Sequence, residues 1–259
     1  MTGEGKGADF VQSLARGLAV IRAFDAEHPE LSLSEVARRA GLTRAAARRF
    51  LLTLEELGYV HAGGRLFALR PKILDLGYAY LSSLDLPEVA LPHMERLVSL
   101  VHESSSVSVL DEDDIIYVAR VPTKRIMSVS ISVGTRFPAV STSMGRVLLA
   151  GLPDDELDEA LERTAFVRHT DRTVVDPAEL RAVIERVRAR GWAAVDQELE
   201  HGLRALAVPI RDSGGATIAA MNVSVPVRDS EMFELTERYL GHLQECAQRI
   251  EADLIAVGA

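Results

Sequence analysis

The sequence predicts an α+β protein with an N-terminal winged helix-turn-helix domain, a linker helix and a C-terminal α/β domain with a central antiparallel sheet. Two short helices joined by a tight turn lead directly into two strand-like runs around Gly63 and Gly64. From residue 104 onward, strand-like runs alternate with helical ones. The 259 residues also leave room for two domains of ordinary size. We expect a disordered segment at 1–9, the winged domain at 10–70, the linker at 71–86 and the second domain at 87–259.

The helix-turn-helix is predicted over residues 31–59 from signals at the helix ends. Ser32 and Glu35 have the S-x-x-E spacing of a capping box, in which side chain and backbone satisfy each other at a helix start. Gly41 follows the first helix, where glycine most easily adopts the left-handed conformation of a C-cap. Thr43 can then cap the second helix through its hydroxyl group.

The second helix separates an apolar face from a cationic one when it is drawn at about 100° per residue. Arg48, Ala45 and Arg49 centre on the outer face, and Arg44 lies at its edge. A small residue among arginines lets this face approach the major groove of DNA while the guanidinium groups reach bases and phosphates. The alternative is an ordinary surface helix with solvated arginines. The predicted buried face comprises Ala46, Ala47, Phe50, Leu54 and Leu57.

Charge is distributed unevenly along the chain. The net charge is −9, but residues 1–72 carry +3 and the remainder carries −12. A local basic patch can contact phosphates, while an acidic remainder limits non-specific adhesion. For Arg65, in the hairpin, a solvated charge is an equally good interpretation. The residues predicted to contact DNA are Thr43, Arg44, Ala45, Arg48 and Arg49, with support from Arg38, Arg39 and Arg65.

Two more helices flank the helix-turn-helix. Residues 10–26 predict an amphipathic helix, because they place apolar side chains at helical spacing, namely Val11, Leu14, Leu18, Ile21 and Phe24. The helix at 71–83 has little domain of its own to pack against. We therefore expect it to be a linker that also carries a dimer contact, because operator binding usually needs paired DNA-binding domains.

Several classes of protein are disfavoured by composition. The single cysteine, Cys246, excludes an internal disulfide and a cysteine-based zinc site within one chain. No apolar run approaches the roughly 18 to 20 residues of a membrane span, and the first residues lack the apolar core of a signal peptide. A cytoplasmic protein with no membrane association is therefore expected.

Five stretches of the chain resemble the IclR family of bacterial transcriptional regulators. They are SLARGLAVIRAF at 13–24, SLSEVARRAGLTRAAARRFLLTLEELGYV at 32–60, STSMGRVLLA at 141–150, GWAAVDQELEHGLRALAVPIRD at 191–212 and MNVSVP at 221–226. The run RIMSVSISVGTRFPAVSTSMGR at 125–146 is most similar to the branch that regulates protocatechuate and related aromatic-acid catabolism.

The resemblance implies a DNA-binding regulator without catalysis or a cofactor, whose second domain is GAF-like and binds a small organic acid. It implies a homodimer or a dimer of dimers, with operator DNA and the effector as partners; RNA polymerase is a further candidate partner. Met144 stands where other members have a small residue, so it can reshape the pocket. The implied effector-binding residues are Ile126, Ser143, Met144, Asp196, Leu203, Ala205, Asn222 and Ser224.

Independently of the resemblance, a predicted helix start and the polar residues of one strand also favour a ligand pocket. A helix is predicted to begin near Met144, and the N–H groups of a helix start favour a ligand carboxylate. Asn222 and Ser224 alternate on one face of an otherwise apolar strand, where they need polar partners. Those partners could be a ligand, or each other, water or backbone. Three arginines are candidates for holding the carboxylate, namely Arg125, Arg136 and Arg204, although Arg204 could instead pair with Asp196 or Glu198.

Two rival functions, a hydrolase and a metal-binding sensor, would use overlapping sets of residues. Ser141, Ser143, Asp196 and His201 could suggest a hydrolase, but no G-x-S-x-G or other positioned nucleophile motif is present. A metal-binding sensor is the second rival, and its alternative is a solvated acidic loop. Its ligands would come from His169 and Asp171, or from Asp196, Glu198, Glu200 and His201.

Overall fold

The structure is a computed structural model that describes residues 9–81, 85–123, 131–227 and 232–257. The chain divides into two compact units, Met1–Ser82 and Ser83–Ala259, and each has a hydrophobic core of its own. The division falls inside the segment 71–86 that the sequence predicts as a linker. In the described ranges, no helix has both the length and the apolar character needed to span a bilayer.

The first unit is a winged helix-turn-helix, as predicted. Its three strands form one antiparallel sheet in the order β1-β3-β2. The strand β1 was not predicted; it pairs with the wing and ties it to the start of the helix-turn-helix. The elements are α1 (Gln12–Ile21), β1 (Glu30–Ser32), α2 (Leu33–Arg39), α3 (Arg44–Glu56), β2 (Val60–Gly63), β3 (Leu66–Leu69), a 3-10 turn (Pro71–Ile73) and α4 (Leu74–Leu81).

The predicted capping interactions set the geometry of the turn between α2 and α3. The backbone N–H of Ser32 donates to the Glu35 carboxylate at 2.8 Å, and the Glu35 N–H donates to Ser32 Oγ at 3.4 Å. Gly41 has φ +65°, a conformation that costs glycine little. Thr43 Oγ1 then accepts a hydrogen bond of 3.2 Å from the Ala46 N–H. The turn is therefore specified by residues within it.

The core of this unit differs in part from the predicted one. Ala47 and Leu54 of α3 are buried as predicted, but Leu51 is also fully buried and was missed. Leu57 is 52% exposed, contrary to the prediction, because α3 ends at Glu56 and Leu57 lies in its cap. The predicted apolar stripe of residues 10–26 is confirmed only at its C-terminal end, since helical periodicity does not say where a stripe meets the core. Phe24 is buried and Ile21 packs against the core, whereas Val11, Leu14 and Leu18 are exposed.

The second unit is a three-layer α/β domain around a six-stranded sheet. The strand order is β6-β5-β4-β9-β8-β7, and every pair is antiparallel, which confirms the predicted central sheet. Helices α5 and α9 pack together on one face, and α6 packs on the other with α8. The elements are α5 (Asp85–Val101), β4 (Ser104–Asp111), β5 (Asp114–Val121), β6 (Arg136–Pro138), a 3-10 turn (Ala139–Ser141), α6 (Ser143–Ala150), α7 (Asp154–Arg163), α8 (Pro177–Arg190), β7 (Ala193–Asp196), β8 (Leu203–Arg211), β9 (Thr217–Pro226) and α9 (Met232–Val257).

Candidate nucleic-acid interface and ligand cavity

The outer face of α3 is a cationic surface, as predicted. Arg44, Ala45, Arg48 and Arg49 are exposed, whereas Ala47, Leu51 and Leu54 bury the opposite face. Thr43, the N-cap, is exposed at the start of this face. In the described part of the chain, the guanidinium groups of five arginines of this unit form no hydrogen bond or ion pair, so their charges are available to an anion. These are Arg38, Arg44, Arg48, Arg49 and Arg65.

Arg39 is placed differently from the other arginines predicted to support DNA binding. Its Nε donates to the Ala23 carbonyl at 2.6 Å, and its guanidinium pairs with Asp25 and lies 3.2 Å from His28 Nδ1. The hydrogen bond from His28, together with the charge of Arg39, holds the pKa of the Asp25 carboxyl below its ordinary value. Arg39 therefore ties α2 to the segment that follows α1.

The wing presents its own cation at the hairpin. Gly64 has φ +71° and forms the turn between β2 and β3. Arg65 and His61 are exposed beside it. The hairpin thus holds Arg65 at its tip, as a winged domain that contacts a phosphate backbone would require.

A cavity of about 480 Å³ lies in the second unit, on the face of the sheet that α6 covers. Its volume is within the range of small-molecule sites. Six of the predicted effector-binding residues line it, namely Ser143, Met144, Leu203, Ala205, Asn222 and Ser224. Ile126 lies outside the described residues. The other lining residues are Tyr117, Ile131, Phe137, Pro138, Ser141, Thr142, His169, Val195, Glu198, Leu199 and Glu200.

The start of α6 brings polar groups to the cavity wall. Thr142 caps the helix, since its Oγ1 accepts a 3.1 Å hydrogen bond from the Gly145 N–H. The first N–H groups of any helix have no partner within the helix. Ser143 is 2% exposed, and its Oγ has no hydrogen-bond partner among the described residues. Because buried hydroxyl groups are nearly always hydrogen-bonded, this one indicates a polar atom of a ligand or water.

The β9 wall carries the other polar groups. The backbone N–H of Ser106 donates to Asn222 Oδ1 at 3.1 Å, and Asn222 Nδ2 donates to Ser224 Oγ at 3.1 Å. The two side chains thus bind each other and the backbone, which was one alternative left open by the sequence, while both line the cavity. Since Ser224 Oγ accepts from Asn222, its own hydrogen can be donated to a ligand.

A buried ion pair fixes α6 against the loop that follows β7. Arg146 and Glu198 form a bidentate ion pair, with Nη1–Oε1 at 2.7 Å and Nη2–Oε2 at 2.6 Å. Both side chains are less than a tenth exposed. Arg146 Nε also donates to the Val140 carbonyl at 2.9 Å, and the Val174 N–H donates to Glu198 at 3.1 Å. Gly145 permits α6 to pack closely on the 3-10 turn that precedes it, because a Cβ there would lie 2.1 Å from the Ala139 oxygen.

Asp196 was predicted to line the pocket, and this is wrong. Its carboxylate accepts from Arg204 Nε at 2.6 Å and pairs with Arg172, so it is held outside the cavity lining. Burial raises the pKa of Asp196, but hydrogen bonds from Arg204 and Gln197 outweigh that effect and lower it. The predicted alternative of an Arg204–Asp196 salt bridge is confirmed.

Arg136, another candidate for a ligand carboxylate, does not line the described cavity either. It pairs with Asp111 at 2.6 Å and with Asp114 at 3.1 Å. Its side chain is 42% exposed, so it belongs to the surface of the sheet edge. Arg125, the third candidate, lies outside the described residues.

Aromatic residues of the cavity were missed by sequence reasoning. Tyr117 of β5 and Phe137 of β6 meet edge to face, with ring centroids 5.8 Å apart. Burial raises the pKa of Tyr117 to about 12, despite the opposing charge of Arg120, so the phenol remains neutral at physiological pH. The alternating side chains of β5 could have pointed to Tyr117, whereas the short strand β6 offers no such pattern for Phe137.

The residues of the rival hydrolase do not form a triad. Ser143 Oγ has no histidine partner among the described residues, and His201 Nε2 lies 3.6 Å from Asp171 rather than beside a serine. A nucleophile needs a base within hydrogen-bond reach. For the metal-binding rival, the described part of the chain contains no group of three or more His, Cys, Asp or Glu residues that could hold an ion.

Comparison with known families matches both units of the chain. A model of the IclR helix-turn-helix domain matches residues 13–63, and a model described as bacterial transcriptional regulator IclR C-terminal matches residues 78–252. The Pca regulon regulatory protein of Pseudomonas putida is 48% identical over 233 residues, which cover 90% of this chain and 80% of that protein.

Two solved structures are similar over almost the whole chain. A transcriptional regulator from Rhodococcus sp. RHA1 has a TM-score of 0.85 and 58% identity, covering 96% of this chain and all of its own. An IclR homologue from Microbacterium hydrocarbonoxydans, complexed with 4-hydroxybenzoate, has a TM-score of 0.83 and 29% identity, covering 95% of this chain and all of its own.

The buried ion pair generates a prediction about stability. Arg146→Met should lower the free energy of unfolding of the second unit by about 3–5 kcal/mol, because it leaves the Glu198 charge buried and unpaired. Adding Glu198→Leu should restore most of this loss. Urea unfolding followed by the fluorescence of the single tryptophan, Trp192, measures both. Arg181→Met is the control; it removes a more exposed ion pair with Asp158 and should cost about 0–1 kcal/mol. Equal losses for Arg146→Met and Arg181→Met would contradict the prediction.

Proposed function

This chain belongs to the IclR family of bacterial transcriptional regulators, and from that premise we propose that a small aromatic acid, bound in the second unit, modulates its binding to operator DNA. The observation that carries the proposal is the buried, unpartnered Ser143 hydroxyl on the wall of a 480 Å³ cavity. We place the protein in the cytoplasm, where bacterial operators lie, and in the control of aromatic-acid catabolism. The Pca regulator and the 4-hydroxybenzoate complex among its relatives support this choice of ligand.

On the DNA side, the proposal assigns α3 to the major groove. Arg48 centres on the exposed face, and Ala45 keeps that face shallow between Arg44 and Arg49. Arg38 and the wing residue Arg65 supply phosphate contacts from flanking elements. Thr43 lies at the α3 N-terminus, where DNA-binding helices commonly contact base edges. Arg39 supports binding indirectly, by holding α2 in place.

The assignment of α3 is tested with a single arginine. Arg48→Ala should weaken operator binding by about 1–3 kcal/mol if the side chain reads a base. Fluorescence anisotropy with a DNA fragment selected by the wild-type protein from a random library measures the loss. Arg186→Ala removes the same charge from an exposed position of the second unit, which contributes no residue to the proposed interface, and should leave binding within about twofold. Equal affinity of Arg48→Ala and wild type would remove Arg48 from the interface.

On the ligand side, the proposal places the acid between α6 and β9. The ligand carboxylate would meet the first N–H groups of α6 and the Ser143 hydroxyl, where the helix dipole favours an anion. Tyr117 and Phe137 supply an aromatic wall for the ring. Asn222 and Ser224 would bind polar atoms of the ring substituents, and Met144 sets the width of the cavity beside Leu203 and Ala205. Ile126 remains part of the proposed lining.

Ser143→Ala tests the ligand site without disturbing the fold. The serine hydroxyl has no partner among the described residues, so its removal should leave the melting temperature of the free protein unchanged or slightly higher. Affinity for 4-hydroxybenzoate, measured by calorimetry, should fall by about 1–1.5 kcal/mol, the value of one hydrogen bond.

Ser99→Ala, at an exposed position of α5, is the matched control and should change neither quantity. If Ser143→Ala binds 4-hydroxybenzoate as tightly as the wild type, Ser143 does not contact the ligand. If the wild type binds no aromatic acid, the choice of effector is wrong.

We propose that α4 carries a homodimer contact, on which a dimer of dimers could be built. Leu74 is 70% exposed and Tyr78 69% exposed in the first unit, and Leu76 and Tyr80 are also largely exposed. Contiguous apolar groups of this kind mark interaction surfaces. A two-fold symmetric partner would bring two α3 helices to successive turns of an operator. If the regulator activates transcription, RNA polymerase is its expected further partner.

The dimer contact is tested by Leu74→Glu combined with Tyr78→Glu. Two carboxylates buried at an interface should shift the protein toward monomers, which sedimentation equilibrium measures directly. Both wild-type side chains are exposed in the first unit, so its melting temperature should be unchanged. Val167→Glu, at an exposed apolar residue of the second unit, should leave the assembly intact. An unchanged assembly of the double variant would place the dimer contact elsewhere.

A further inference from the structure

Leu52 lies on the exposed side of α3, and it belongs neither to the core nor to the residues predicted to contact DNA. Its side chain is 40% exposed, and among the described residues it does not pack against the core of the first unit. Leu54, two residues further along the helix, points nearly the opposite way and is buried. A single exposed leucine is common on protein surfaces, so the residues around it decide whether it has a function.

Four exposed residues at positions i, i+3, i+4 and i+7 form one face of α3, namely Ala45, Arg48, Arg49 and Leu52. Ala45 and Leu52 lie within about 20° of each other around the helix axis and ~10 Å apart along it. Arg48 lies about 50° to one side of the line that joins them, and Arg49 about 50° to the other. The recognition helix of a homeodomain places its base-contacting side chains at the same spacing.

This face combines two kinds of group that match features of the major groove. Guanidinium groups donate to guanine O6 and N7 or to phosphates, and the C5-methyl group of thymine is an apolar feature of the base edges. Those of Arg48 and Arg49 form no hydrogen bond or ion pair within the described ranges, so both are available to DNA. With the arginines bound to DNA on either side, the Leu52 side chain meets the base edges, and contact with a methyl group removes apolar surface of both from water.

The charges along α3 show where this face ends. The last turn of the helix carries Glu55 and Glu56. Their carboxylates repel the phosphates of DNA, whereas the arginines of the preceding turns attract them. Leu52 is therefore the last residue of the face before the charge changes sign, and it lies beside the arginines rather than beyond them.

We propose that Leu52 is a specificity-determining residue of the operator interface, and that its side chain contacts the C5-methyl group of a thymine in the major groove. Ala45 offers a second, smaller apolar contact at the other end of the same face. This inference rests on the proposed function, because it concerns the same helix in the same groove. It adds thymine to the bases that the operator must contain, at a position beside those that the arginines contact.

The test replaces each thymine of the DNA fragment selected by the wild-type protein with deoxyuridine, which lacks only the C5-methyl group. Fluorescence anisotropy with the full-length protein measures each affinity. For the wild type, at least one replacement should lower the affinity about three- to fivefold, the effect of one methyl group removed from an apolar contact. For Leu52→Ala that penalty should disappear, because the shortened side chain no longer reaches the methyl group. Leu52→Met keeps an apolar side chain of similar length and should retain the penalty.

Leu57→Ala is the matched control. Leu57 is also an exposed leucine, but it lies in the cap of α3 and away from the proposed face, so every deoxyuridine penalty should persist. The melting temperature of Leu52→Ala should stay close to that of the wild type, since the side chain does not pack against the described core.

Three outcomes would overturn the inference. Wild-type affinity that no deoxyuridine replacement lowers would mean that α3 contacts no thymine methyl group. Equal penalties in Leu52→Ala and the wild type would assign the contact to another residue, and loss of the penalty in Leu57→Ala as well would assign it to the fold of the helix end. Failure of the α3 assignment itself is distinguishable, because Arg48→Ala would then also bind as tightly as the wild type.

Discussion

The contact between Arg146 and Glu198 holds together the helix and the loops that line the cavity opposite the sheet. Arg146 belongs to α6, whose first turn forms one wall, and Glu198 belongs to the loop that forms another. The Glu198 carboxylate also accepts a hydrogen bond from the Val174 N–H, so a third segment of the chain is held at the same point. A buried ion pair contributes little net stability, because desolvation offsets its attraction. Its value here is geometric, since it fixes where the Ser143 hydroxyl stands relative to Asn222 and Ser224.

The two units divide the work of a ligand-responsive regulator. The first carries the excess of positive charge and an exposed arginine face on α3, while the acidic second unit encloses the cavity. A ligand can alter DNA binding only if it binds one arrangement of the protein more tightly than another. In the proposed dimer, the exposed apolar side chains of α4 form the surface that would transmit such a difference from one subunit to the other.

Local features of the fold were predictable, and long-range ones were not. The capping box of Ser32 and Glu35 and the cap at Thr43 act within four residues, so the sequence specifies them directly. Arg39 could not be placed in this way, because its partners lie up to 16 residues away across a tertiary contact. For the same reason, periodicity assigned an apolar stripe to α1 but could not say that Val20 rather than Leu14 faces the core.

The lining of the cavity could likewise be predicted only in part. Six lining residues were predicted, chiefly because they fall within stretches that resemble the IclR family. Asp196 was misplaced, because its carboxylate pairs with Arg204, opposite it on β8, and with Arg172 of a loop. Both are tertiary contacts that a sequence does not display. Tyr117 and Phe137 were missed, since only the pairing of β5 with β6 brings their two rings together.

In the proposed regulator, the ligand cavity and the operator-binding surface are thermodynamically coupled. Calorimetric titration of 4-hydroxybenzoate into the free protein and into its operator complex measures this coupling. We expect two different Kd values, separated by about fivefold or more and by the same factor through which the acid changes operator affinity. Identical Kd values in the two titrations would contradict it, whatever residues line the cavity.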